Sequence, residues 1–179
     1  VVADCARELS PPDALAIADA ALRRGICTPE DLAEHLVGRH GLPRAGQVGT
    51  VISRADGRAE SWLESVSRWW ILEDGLPVPQ LQVELDGPDG VARLDMLFPE
   101  HGVAGEADGL GKYSGPDGVE VLAREKRRDA WIRDMYGFEV LHWMPADVAS
   151  PQRRRLWLGQ LHRALVRGAA EQRRRRPSA

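Results

Sequence analysis

The sequence predicts an α/β fold: a mixed sheet covered by helices, behind a helical lead-in. Three observations lead there. Apolar residues of the first third recur at helical spacing. From Leu81 the period shortens to alternation, with Leu81, Val83 and Leu85 separated by polar residues. Beyond Val119 the helical spacing returns and is followed by one more short strand. A hairpin, then a crossover helix, then another strand gives a sheet with antiparallel and parallel pairs and helices on its faces.

Each element has a local reason. Ser10 before Pro11 and Pro12 reads as a helix start, Leu15, Ala18 and Leu22 form its stripe, and Gly25 ends it. Thr28-Pro29-Glu30-Asp31 opens a second helix with Leu32 and Leu36 on one face, and residues 45–53 a third. A longer helix is expected over 59–74, with Trp62, Val66, Trp69, Ile71 and Leu72 on its buried side. Gly75 to Pro79 breaks it. The first strand follows, then the turn cluster Asp86-Gly87-Pro88-Asp89-Gly90, then a partner strand over 91–98. A third strand is expected over 102–107, a glycine-rich loop over 109–118 and a helix over 119–136 closed by Gly137. Residues 138–143 read as the fourth strand and 151–170 as a basic final helix, with a frayed arginine tail. The expected division is a helical lead-in over 1–57, an α/β domain over 58–170 and a disordered basic tail over 171–179.

At 179 residues and 43% hydrophobic content, the chain can bury one ordinary core and is not expected to be disordered. No apolar run approaches the ~20 residues of a membrane span, and no cationic-then-apolar leader opens the chain. Cys5 and Cys27 are too few for a disulfide scaffold or a zinc site, so a reducing, cytoplasmic setting is expected. A start at Val1 rather than Met suggests a fragment or a processed form. The formal charge of -3 hides a polarity: residues 84–120 carry nine acids against Arg93 and Lys112, whereas residues 151–179 carry nine arginines against Glu171. That arrangement suits a metal ion in one place and a polyanion in another.

The chemistry concentrates in Asp95, Glu106 and Asp108, on the second and third strands. Asp95 interrupts an apolar run, and Glu106 and Asp108, two apart, face the same way if the strand persists. Buried acids are costly without a cation, and an all-oxygen set favours magnesium or manganese. Structural roles are the alternative: Asp95 capping a turn or pairing with Arg93, Asp108-Gly109 opening a loop. Lys112 and Lys126 are the only lysines among 24 basic residues; either could stabilise a charged phosphoryl group, although Lys126 also reads as part of a charged helix face.

Several linked motifs carry a family resemblance. Glu64-Ser65, Arg93-Leu94-Asp95-Met96, Glu106-Ala107-Asp108-Gly109, Arg128-Asp129 and Gly137-Phe138-Glu139-Val140 occur in that order. Together they resemble the PD-(D/E)XK, restriction-endonuclease-like superfamily, and more closely an uncharacterised group related to very-short-patch repair endonucleases. That group is found C-terminal in actinobacterial AbiEi-like antitoxins and regulators. The resemblance implies a helix-strand-strand-strand-helix-strand core, Asp95 and Glu106 as Mg2+ (or Mn2+) ligands, and Glu64 as a third acid. Asp108 stands where the superfamily has its lysine, so either Lys112 or Lys126 would take over the charge-stabilising role, or Asp108 would extend the metal site with no catalytic lysine. His142 stands where relatives usually have arginine, and Gln82 matches a recurrent glutamine.

The expected function is a magnesium-dependent DNA phosphodiesterase, a hydrolase, with Asp95, Glu106, Asp108 and Lys112 at its centre. The alternative is a nuclease-fold module without cleavage inside a DNA-binding regulator or antitoxin. A third reading is an interaction or dimerisation domain. DNA is the expected partner, bound by the basic final helix, and a homodimer is compatible with each reading.

Overall fold

The computed structural model describes residues 1–34, 43–87, 90–109 and 118–175. The chain divides into two compact units, Val1–Glu73 and Asp74–Ala179.

The first unit is helical: α1 (Val2–Glu8), α2 (Pro11–Arg23), α3 (Pro29–Glu34), α4 (Ala45–Arg54) and α5 (Trp62–Glu73). Helix α2 starts as its prolines predict, with Ser10 extended at the N-cap, but the Ser10 hydroxyl bonds the Asp13 carboxylate at 2.5 Å instead of the backbone. At α3 the cap is reciprocal: Asp31 N–H donates to Thr28 Oγ1 and Thr28 N–H to Asp31 Oδ2. Ala3, Ala6, Leu15, Ala18, Val48, Val51 and Trp69 form the core of this unit. Small residues dominate that list, so the helices can approach closely. A buried ion pair pins α2 to α5, with Arg68 Nη2 2.7 Å from Asp19 Oδ2. Burial pushes the Asp19 carboxyl above its ordinary range despite that partner. Two expectations change here. Helix α1 was not foreseen, since Val2 to Glu8 lacks a breaker-bounded apolar stripe. Trp62, expected in the core, is 49% exposed; its indole N–H donates to Asp13, so a polar tether replaces burial.

The second unit holds a four-stranded sheet in the order β1 (Gln80–Gly87), β2 (Gly90–Phe98), β3 (Val103–Ala107), β4 (Glu139–Trp143). The first three strands pair antiparallel, and β4 runs parallel to β3, so the sheet is mixed. Parallel entry of β4 requires a crossover, which α6 (Gly118–Tyr136) supplies. After α7 (Pro145–Val148), α8 (Pro151–Arg175) closes the chain.

Alternation along β4 assigns the two helices to opposite faces. His142 reaches Asp129 on α6, while its neighbour Trp143 packs on Trp157 of α8 with ring centroids 5.2 Å apart. Ile132 of α6 joins Leu85, Leu94, Leu97 and Ala104 in one core cluster. On the other face, α8 buries Trp157, Leu158, Leu161, Ala164 and Leu165. Gly105 is what lets Trp143 lie flat there: a Cβ at that position would stand 2.5 Å from the indole. Helix α8 runs beyond the expected stop at residue 170, to Arg175, and Glu171 and Arg175 pair across its last turn at 2.8 Å. Arg173 to Arg175 are therefore helical, not frayed; residues 176–179 lie outside the described residues.

Candidate functional site

One row of residues crosses the sheet at the level where the chemistry is concentrated. Glu106 and His142 are register partners on β3 and β4. Continuing the β2–β3 register from Met96↔Gly105 places Asp95 opposite Glu106. On the outer side, continuing Leu81↔Met96 and Val83↔Leu94 places Gln82 opposite Asp95. Gln82 has φ 53°, a left-handed conformation that a non-glycine strand residue rarely adopts. Among the described residues this is the one non-glycine strand position with a positive φ, and it sits beside the acid cluster, where such outliers tend to collect.

The carboxylates of the row are engaged by the protein itself. Asp95 Oδ2 accepts the Ala107 N–H at 2.8 Å, so its side chain reaches across to β3 and takes a place the ladder leaves open. Glu106, only 4% exposed, faces Arg128 of α6, with Oε1 and Nη2 2.5 Å apart as an ion pair. Asp108 lies one residue past β3, where its N–H donates to the Trp143 carbonyl at 2.9 Å. Its buried carboxylate meets His142 Nδ1 at 2.8 Å, and His142 Nε2 meets Asp129 Oδ2 at 2.8 Å.

Both ring nitrogens of His142 can donate only when the imidazole is protonated. The hydrogen bonds to Asp108 and Asp129 therefore favour the cation and raise its pKa from 6.5 to about 10, against the opposing effect of burial. At neutral pH the histidine is a fixed positive charge between two acids.

A divalent ion does not fit this arrangement well. Among the described residues, no three His, Cys, Asp or Glu side chains converge so as to hold one metal. The two nitrogens of an imidazole point away from each other, so Asp108 and Asp129 are held apart. A cation near Glu106 would have to displace the Arg128 guanidinium or lie beside it, at a Coulombic cost that grows with burial.

Of the residues expected at the site, Asp95 lies in mid β2 opposite Glu106 of β3, and Asp108 lies one residue past β3. Glu64 belongs to the first compact unit, where its carboxylate accepts the Glu60 N–H at 2.9 Å and helps to start α5. Lys112 lies outside the described residues. Lys126 is exposed on α6. Sequence reasoning missed the roles of Arg128, Asp129 and His142. A signal was there: Glu125, Arg128, Asp129 and Ile132 fall at i, i+3, i+4 and i+7, one helical face, and Ile132 on that face is fully buried.

What fold and site define together is an α/β domain whose mixed sheet carries a compensated acidic cluster under its crossover helix. The chain is similar to two curated proteins of Mycobacterium tuberculosis, "Uncharacterized protein Rv2248" (strain H37Rv) and "Uncharacterized protein MT2308" (strain CDC 1551 / Oshkosh). Each is 35% identical over 149 residues, covering 81% of this chain and 52% of the relative. The chain thus spans about half the length of the curated relatives it matches. No family model and no solved structure matches. Among the described residues no helix is long and apolar enough to cross a membrane.

Proposed function

We propose that the chain is a nuclease-like module that binds DNA without hydrolysing it, as part of a larger regulatory protein. The observation that carries this reading is the occupation of Glu106 by Arg128 and of Asp108 by His142. In a hydrolytic site of this kind the carboxylates would be held ready for a metal, and a lysine would stand where Asp108 stands. Here Asp108 is the acid that fixes an imidazolium, and the cluster ties α6 to β3 and β4. The DNA part of the reading is supported by α8, a 25-residue helix with Glu171 as its one acid among many arginines.

One observation favours the alternative, a magnesium-dependent DNA phosphodiesterase. Among the described residues the cluster brings four carboxylates (Asp95, Glu106, Asp108, Asp129) against two cations (Arg128, His142). That surplus of negative charge is the environment a divalent ion neutralises.

A nicking assay separates the two. With supercoiled plasmid and either Mg2+ or Mn2+, the expected outcome is DNA retarded in a gel but left supercoiled. Nicking that disappears in the Asp95→Ala protein would establish the phosphodiesterase instead.

A further inference from the structure

We propose that the solvent-facing arc of α8, carrying Arg155, Arg163, Arg173 and Arg174, is the surface that grips the phosphate backbone of duplex DNA. The inference rests on the DNA-binding reading above and adds to it the place and the mode of contact.

Trp157, Leu158, Leu161, Ala164 and Leu165 are turned inward and set the packed side of α8. At 100° per residue, Arg155, Arg163, Arg173 and Arg174 fall on the opposite side, within an arc of about 100°. The same arc contains Leu156, Gly159, Val166 and Ala170, and no acid. The four arginines are exposed, and among the described residues none has an acidic partner. Their neighbours differ: Arg167 is paired with Glu139 and Arg175 with Glu171 at 2.8 Å each; Arg167 falls about 20° beyond the arc and Arg175 about 100° beyond it, toward the packed side.

Length matters as much as sign. Residues 155 to 174 span about 28 Å of helix at 1.5 Å per residue. Duplex DNA carries one phosphate per ~3.4 Å on each strand, so the arc runs alongside roughly eight base pairs of backbone. Arginine suits such contacts because its guanidinium presents a planar fork to phosphate oxygens. Nothing in the arc resembles a base-reading set, and the contact expected is therefore independent of sequence. A lipid surface fits less well: the apolar side of α8 is consumed by the sheet, leaving Leu156 and Val166 as the exposed large apolar residues of the helix.

The test is equilibrium binding of the full chain to a labelled duplex of ~20 bp, two helical turns, across a salt series. The variant has Arg155→Gln, Arg163→Gln, Arg173→Gln and Arg174→Gln together. A control carries Arg23→Gln and Arg24→Gln in the first unit, and circular dichroism verifies folding of all three proteins. Each lost phosphate contact removes about 0.9 from the slope of log K against log salt, so the quadruple variant should lose about 3 to 4. Between ~50 and ~200 mM salt the wild-type protein should then weaken on the order of 100-fold more than the variant. The control should keep the wild-type slope. A folded quadruple variant with an unchanged slope overturns the inference while leaving DNA binding in place. A proportionate loss in the control, about 2 for its two arginines, would reduce the effect to net charge and also overturn it. If wild type binds anionic phosphatidylglycerol vesicles but no duplex at low salt, the arc reads lipid, and the DNA-binding reading fails with it.

Discussion

Replacing Arg128 with alanine is expected to destabilise the second unit by about 2–4 kcal/mol, because it strands Glu106 in a site that is 4% exposed. The guanidinium side chain is itself 27% exposed, so some of its charge is screened by water and the value falls short of a fully buried pair. The loss should be largest in Arg128→Ala alone. Adding Glu106→Gln should recover part of it, since the neutral amide no longer needs a cation. Denaturant unfolding of the two single variants and the double variant gives the coupling energy directly. A value of at least ~1 kcal/mol is expected for a half-shielded pair. Coupling near zero would mean that the ion pair holds nothing in place.

The second large effect is a loss of stability on raising the pH. His142 has its pKa raised in the fold to about 10, above the 6.5 of an unfolded chain. A folded pKa above the unfolded one means that the contribution is complete below pH 6.5 and is lost as the pH climbs through about 10. The groups facing the ring are Asp108 from the end of β3 and Asp129 from α6, with Glu106 beside it across the β3–β4 register. One pKa unit is worth about 1.4 kcal/mol; with the imidazole partly open to solvent, a total near 2–3 kcal/mol is expected, not the full product. The measurement is the difference in unfolding free energy between wild type and His142→Gln from pH 6 to pH 10. That difference should shrink steadily with alkalinity. A constant difference would show that the ring is not charged between its two acids.

The α/β architecture was legible because its signals are local. The switch from helical spacing to alternation at Leu81, the turn at Asp86 to Gly90 and the stop at Gly137 each act over a few residues. So was the placing of Asp95 on β2 and of Glu106 on β3, since Asp95 breaks an apolar run; β3 ends at Ala107, short of Asp108. What the acids do there was not legible, because it depends on which side of α6 meets the sheet. Arg128 lies 22 positions along the chain from Glu106, and His142 lies 34 from Asp108. Only the crossover geometry brings them together. Trp62 went wrong for a related reason: helical spacing gives it the same face as Val66 and Trp69, but it stands at the first residue of α5 and takes the Asp13 carboxylate instead. The extension of α8 to Arg175 is accompanied by the Glu171–Arg175 pair, an i,i+4 contact that a run of arginines conceals.

Glu106 on β3 and Asp108 one residue past it are paired from within, by a guanidinium and an imidazolium. Isothermal titration of the protein with Mn2+ at neutral pH tests this pairing most directly, with Glu106→Gln and Asp95→Ala proteins alongside. No saturable heat is expected for wild type, and none for the two variants. A saturable site on wild type that vanishes in both variants would contradict the pairing, and would show that Arg128 gives way to a metal ion.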